Sequence, residues 1–262
     1  MQFSFLFRLE AWQLMIIILI LMIGSTLIGV YAGKRRKKEL KLDSTILGSL
    51  FGLLGLLLAF SFSLATSFLG IRREIIIDES NNIGTAILRS DLYSESERQL
   101  FRADFKQYIE ARIDYFSYRD VKTVIEAQDR SVKIQQQLWN RAVRLSRDSS
   151  YYVASMQMIP ALNNVIDISS KRYYVDSVHL PEPIIYLLVL MACACAFYVG
   201  YTVARKDNDW LLVIGFCLLT SMVVFLIFDI DRPRRGLIKL DKINNSIVDL
   251  RKMIPEEVKI NK

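Results

Sequence analysis

The sequence predicts an all-α, polytopic membrane protein, with four transmembrane helices and a helical extramembrane domain between the second and third. Two observations carry this. Apolar residues fall into four blocks of about 20, the length a helix needs to cross a bilayer, and the charged residues lie between the blocks. The long polar stretch from Gly70 to Leu180 contains almost no helix breakers, with Gly84 and Pro160 alone between those ends. No stretch alternates as a half-buried strand would. Overall composition, with 52% hydrophobic residues over 262 positions and a net charge of +7, is less decisive than this distribution.

The first block runs from about Trp12 to Tyr31. One basic residue, Arg8, precedes it, and Lys34, Arg35, Arg36, Lys37 and Lys38 follow. That charge order belongs to an uncleaved anchor, because a cleavable signal places its basic residues first and a small-residue site last. The second block runs from about Thr45 to Leu69, and its helix is expected to continue without a break into Arg72–Leu92. These blocks make residues 1–69 a membrane segment, and residues 70–180 form the helical domain.

Within that domain, Ser94 and Glu97 have the spacing of a capping box. Leu100, Phe101, Phe105, Tyr108, Ile109 and Ile113 then recur at three- and four-residue steps, as on one helix face. Further helices are expected over Val121 to Leu145 and Tyr151 to Tyr174. Residues 181–229 hold the third and fourth spans, Ile184 to Val203 and Trp210 to Phe228. Pro181 and Pro183 suit the first turn of the one, and Asp207, Asn208 and Asp209 offer caps to the other. Residues 230–262 read as a basic tail. Trp12, Tyr186, Tyr201 and Trp210 stand near block ends, where interfacial aromatics collect.

The second span carries the most informative pattern. Gly48, Gly52, Gly55, Ala59 and Thr66 share a helical face, with Ser63 beside it. Small residues let helices approach closely in lipid. They also leave room for ions in a pore, where phenyl rings such as Phe60 or Phe62 would form a hydrophobic gate. The pattern alone fits both pore lining and helix packing. A polar motif follows, comprising Glu79, Asn81, Gly84, Thr85 and Arg89. It holds no nucleophile–base pair, so an enzyme is not expected. At the end of the fourth span, Asp229, Asp231 and Arg232 form a candidate membrane-edge charge pair, since ionisable groups there are costly unless paired or wet. Cys193, Cys195 and Cys217 all lie inside predicted spans and His179 is the sole histidine. No metal site and no cofactor are therefore expected. The basic residues cluster beside membrane ends and point to membrane lipids as partners, not to nucleic acid.

Orientation follows from the positive-inside rule. The short loops 34–44 and 204–209 are the more densely basic and the first span tends to dominate, so these loops are placed in the cytoplasm of a multi-pass cell membrane protein, in a bacterial inner membrane. The helical domain then lies outside.

The segment Glu79–Arg89, read as E-x-N-x-I-G-T-A-x-L-R, resembles the hallmark of the bestrophin-like domain family of four-span bacterial and plant membrane proteins. Ala59-Phe60-Ser61-Phe62-Ser63, Pro160-Ala161-Leu162-Asn163-Asn164-Val165-Ile166-Asp167 and Asp229-Ile230-Asp231-Arg232-Pro233-Arg234-Arg235-Gly236 fit the same family, although Ser80 stands where Ala is usual. The resemblance implies kinship with bestrophins, pentameric anion or cation channels whose second helix lines the pore. The expected function is a homo-oligomeric ion channel that passes an inorganic ion. The alternative is a non-conducting membrane scaffold or sensor whose helical domain binds a partner. Bestrophins hold their helical domain in the cytoplasm, so the resemblance implies the orientation opposite to the charge reading.

Overall fold

The computed structural model describes residues 10–35, 44–118, 120–204, 210–232 and 236–254. The expected all-α architecture is present, and the described residues contain no strand. The chain forms two compact units. One comprises Met1–Leu69 with His179–Ile238, the other Gly70–Val178 with Lys239–Lys262.

The membrane unit contains α1 (Ala11–Arg35), the first part of α2 (Ser44–Arg89), α6 (Glu182–Val203) and α7 (Trp210–Asp231). Among the described residues these are the four helices long and apolar enough to cross a membrane. In α1 the buried residues are Ala11, Leu14, Ile18, Met22, Thr26, Gly29 and Gly33, a three- and four-residue spacing that makes one stripe. That stripe packs along α6 and also against α7. Lipid offers no hydrophobic reward for joining two apolar helices, so close backbone approach must supply the attraction. Glycine makes it possible here. A Cβ at Gly29 would collide with the carbonyl of Phe197, and one at Gly200 with the carbonyl of Thr26. At Gly33 it would stand 2.8 Å from the Tyr201 carbonyl oxygen. Ser25 Oγ adds a 2.7 Å hydrogen bond to the Cys193 carbonyl across the same seam. Tyr201 is buried here, stacked on Phe197, while Trp12, Tyr186 and Trp210 are exposed.

Helix α2 is continuous through Arg89 and ends in a 3₁₀ turn, Ser90–Leu92, as expected for a span that no residue interrupts. The extramembrane unit adds α3 (Glu95–Ser117), α4 (Val121–Leu145), α5 (Tyr152–Val175) and α8 (Asp241–Asp249). Helix α4 begins at Asp120, whose side chain accepts from the Thr123 amide at 3.1 Å. Its buried residues, from Ala127 and Ser131 through Ile134, Leu138 and Ala142 to Leu145, face α3 and α5. In α3 the core face is Phe101, Phe105, Tyr108, Ile109, Arg112 and Tyr115. Leu100, expected on that face, is exposed. The face turns towards Arg112 because that arginine is buried among polar partners.

The capping box expected at Ser94 is not formed. Ser94 is the N-cap, but its side chain makes no capping bond. Its hydroxyl accepts from Tyr151 at 2.8 Å, and Glu97 pairs with Arg141 and Arg144 of α4. Both box members are drawn into tertiary contacts. Helix α8 lies in the stretch read as a basic tail. It packs on α3, and Ile247 is fully buried.

Candidate functional site

Helix α2 is two-sided. In the membrane unit Leu54, Ser61, Ala65 and Leu69 are buried, at spacings that keep them on one side of a 3.6-residue helix. Phe51 meets Phe216 of α7 edge-on at 5.5 Å, and Cys195 Sγ of α6 approaches the Leu50 carbonyl at 3.9 Å. The other side carries Gly48, Gly52, Gly55, Ala59, Ser63 and Thr66, all exposed. A Cβ at Gly48, Gly52 or Gly55 would meet nothing within 4 Å. The small-residue face is therefore not used for packing inside this unit. That role falls to Gly29, Gly33 and Gly200, which the sequence reading passed over although Gly29-x-x-x-Gly33 has the familiar spacing. Phe60 and Phe62 flank the open face, 65% and 42% exposed. Thr66 satisfies its hydroxyl locally by donating to the Phe62 carbonyl at 2.8 Å.

In the extramembrane unit the polar motif divides between the two sides of α2. Asn81 and Thr85 are exposed. Gly84 is covered by the chain after α8, so that a Cβ there would sit 3.4 Å from Leu250 and 3.7 Å from Met253 Sδ. Arg89 donates to the Gln157 carbonyl of α5 at 2.5 Å. Glu79 points inward and is wholly buried. Its Oε1 accepts from Arg112 Nε of α3, and its Oε2 from Arg172 Nη1 of α5, each at 2.5 Å. Arg112 Nη1 donates on to Gln128 of α4 at 2.8 Å, and Arg172 Nη2 to Asn244 of α8 at 2.7 Å. One carboxylate thus joins five helices. The guanidinium carbons of Arg112 and Arg172 lie 4.4 Å and 5.6 Å from the Tyr115 ring centre.

Burial opposes the charge on Glu79, but the two guanidiniums outweigh it and hold the carboxyl below its ordinary range. Burial likewise opposes the charge on Arg112, and Glu79 more than restores it. A buried triad of this kind stays ionised only because every charge has an opposite neighbour. The sequence reading identified Glu79 but not Arg112 or Arg172, which stand 33 and 93 residues further along the chain. The available signal was an arginine set in the apolar face of α3.

At the end of α7, both acidic residues are buried. Asp229 accepts from the amides of Leu237 and Ile238 at distances of 2.8–3.0 Å. Gly236 is pressed against it, and a Cβ there would lie 2.7 Å from Asp229 Oδ1. Asp231 takes His179 Nδ1 at 3.2 Å and the Leu180 amide at 3.3 Å. Arg232 stacks its guanidinium 5.4 Å from the centre of the Phe228 ring. Pro233, Arg234 and Arg235, the loop 36–43 and the caps 207–209 lie outside the described residues. Among the described residues, no three His, Cys, Asp or Glu side chains gather as metal ligands.

The chain is similar in fold to crystal structures of a bacterial bestrophin homolog from Klebsiella pneumoniae. One, carrying a single substitution, gives a TM-score of 0.72 at 10% identity, covering 92% of this chain and 99% of that one. Another, phased on zinc, gives 0.71 at 11% identity with the same coverage. A crystal structure described as a membrane protein variant also gives 0.71 at 10% identity, again covering 92% and 99%. Comparison with curated protein sequences finds no match. The family model described as the bestrophin-like domain matches residues 15–243, which take in most of the first span, the other three spans, the buried carboxylate and the acidic end of α7. The chain belongs to the bestrophin-like domain family.

Proposed function

We propose that copies of this chain assemble in a cell membrane into an ion channel with α2 lining the pore. One observation carries the reading. On the small-residue face of α2 a Cβ at Gly48, Gly52 or Gly55 would meet nothing within 4 Å, while Leu54, Ser61, Ala65 and Leu69 on the opposite side are buried. Four helices of a single chain do not enclose a pore, so an open small-residue face calls for other copies around a shared axis. Phe60 and Phe62 beside that face supply the rings of a hydrophobic constriction, which gates by excluding water. The fold shared with a bestrophin homolog supports the reading. The short basic loops 34–44 and 204–209 are placed in the cytoplasm.

Single cysteines from Leu50 to Ser67, in a background without Cys193, Cys195 and Cys217, test this. A water-soluble thiol reagent is expected to label Gly52, Gly55, Ala59, Ser63 and Thr66 positions and to spare Leu54. Planar bilayers are expected to show current from the wild type, and Phe60→Ala or Phe62→Ala to raise it. A monomer in native membranes, with no current and uniform protection, would leave the scaffold reading. Exposed Leu88, Leu92, Val153 and Met156 in the extramembrane unit would then be its partner surface.

A further inference from the structure

Contacts along α2 fix how far each part of the extramembrane unit lies from the bilayer, with the helix as a ruler. The membrane unit ends on α2 at Leu69, the last residue of its apolar block. Helix α3 runs antiparallel to α2, because Arg102 pairs with Asp91 at 2.8 Å and Arg112 with Glu79 at 2.5 Å. Helix α5 runs the same way. It meets Arg89 at the Gln157 carbonyl, Glu79 at Arg172, and Arg72 at the Val178 carbonyl, 2.5 Å from Nη2. Both helices therefore end close to where α2 leaves the bilayer. Glu79 stands ten residues past Leu69, about 15 Å along the helix. Tyr118, six residues beyond Arg112, comes back by about 9 Å. Val178 is level with Arg72, which is three residues or about 5 Å past Leu69. Tyr174 precedes Val178 by one turn, and the amides of Ser177 and Val178 bond back to the carbonyls of Tyr174 and Val175.

This end of the unit exposes aromatic and apolar side chains. Tyr174 is 70% exposed, Tyr118 46% and Val178 44%. Val121 and Ile125, one turn apart at the start of α4, are exposed beside Tyr118. The polar layer on each side of the hydrocarbon core is about 5–8 Å thick, so the two tyrosines stand at its depth. Tyrosine suits that layer, since its ring is apolar and its hydroxyl can stay wet. Exposed Lys122 and Lys171 are matched at the same end by exposed Glu74 and Asp120. The attraction is thus one of amphipathic rings and apolar side chains, and not that of a polybasic patch for anionic lipid. The exposed apolar residues at the opposite end of the unit are in a different position. Leu88 is nineteen residues past Leu69, about 28 Å along the helix and out of reach of lipid.

We infer that the end of the extramembrane unit formed by the last turns of α3 and α5 and the first turn of α4 is a lipid-docking surface, which sets Tyr118 and Tyr174 in the phospholipid headgroup layer. The contact is separate from the open face of α2 and holds whether or not the chain conducts. It needs no particular headgroup charge, so zwitterionic phosphatidylcholine is sufficient.

The test uses the full-length protein in phosphatidylcholine vesicles. Tyr118→Cys, Tyr174→Cys and Tyr152→Cys are made one at a time in the background without Cys193, Cys195 and Cys217, and each is labelled with a thiol-reactive fluorophore. Tyr152, at the start of α5, is exposed at the far end of the unit and serves as the control. A phospholipid with a nitroxide on its headgroup is then added as quencher. Labels at Tyr118 and Tyr174 are expected to lose several-fold more of their emission than the label at Tyr152, and to the same extent when part of the phosphatidylcholine is replaced by phosphatidylglycerol. Should either variant fail to fold, Val121→Cys supplies a replacement position on the same end. Equal quenching at the near and far positions would overturn the inference. So would unquenched labels at Tyr118 and Tyr174 together with disulfide-linked dimers of Tyr174→Cys on oxidation, which would assign this end to a second copy of the chain.

Discussion

Glu79 illustrates how much one side chain can be asked to do. Its two oxygens hold α3 and α5 to α2, and through the arginines they reach α4 and α8. Removing one partner of a buried ion pair costs about 3–5 kcal/mol, because a charge remains behind without its neighbour. Glu79→Gln is therefore expected to lower the melting temperature of the full-length protein by roughly 10 °C. The carboxyl is held below its ordinary value of 4.5. A group depressed in the folded state contributes fully above its unfolded value and loses that contribution as pH falls through the folded one. Wild-type stability is thus expected to fall on the acid side of pH 4.5, with a shallower fall in Glu79→Gln; equal slopes would show that Glu79 does not carry the effect. Asp229 is the corresponding residue at the end of α7, where it caps the turn at Leu237 and Ile238. Asp229→Ala leaves two amides without their acceptor, at about 1–3 kcal/mol. Its melting curve should shift down, while Asp229→Asn, which keeps an acceptor oxygen, should recover part of the loss.

Among the elements, α1 and α2 use small residues in opposite ways. In α1 they let a neighbouring backbone come close, at Gly29 against Phe197 and at Gly33 against Tyr201. In α2, Gly48, Gly52 and Gly55 face open space. Equal substitutions are therefore expected to separate two phenotypes. Gly29→Leu or Gly200→Leu forces α1 and α6 apart and should prevent the membrane unit from folding, read as loss of a cooperative melt and aggregation on extraction. Gly52→Leu or Gly55→Leu should leave the subunit folded and disrupt its assembly, read as a smaller species by size-exclusion chromatography with light scattering. An unchanged oligomer in the second pair would remove the support for α2 at a subunit interface.

For the whole molecule, the chain after the fourth span is not an appendage. Ile247 and Leu250 are buried, Ser80 donates to the Ser246 carbonyl at 3.0 Å, and Arg251 forms two hydrogen bonds to Glu110 at 2.7 and 2.6 Å. Deleting residues 239–262 uncovers Gly84 and strips Arg172 of Asn244. The expected outcome is an extramembrane unit that is cut by trypsin at protein-to-protease ratios the full chain withstands, while the membrane unit stays protected in detergent. Equal digestion rates would show that α8 contributes nothing to the unit.

The sequence by itself determined the elements. Four apolar blocks were legible because bilayer thickness imposes a minimum apolar length. The uninterrupted run from Ser44 to Arg89 was legible because nothing in it stops a helix. Helix α4 was expected over Val121 to Leu145, the ends it has in the structure. The open face of α2 could be drawn on a helical wheel, but whether its glycines were packed or bare could not, since helical spacing says which residues share a face and not what that face meets. Only the tertiary structure assigned the packing to Gly29, Gly33 and Gly200 and left Gly52 and Gly55 unoccupied. It alone gave Glu79 its arginines, Asp231 its histidine, and the supposed tail its place in a core. The reason is the same in each case. Helix formation depends on local backbone bonds and periodic burial, which neighbouring residues encode. The partner of a buried charge is set by which distant helices cross it, and no local pattern records that.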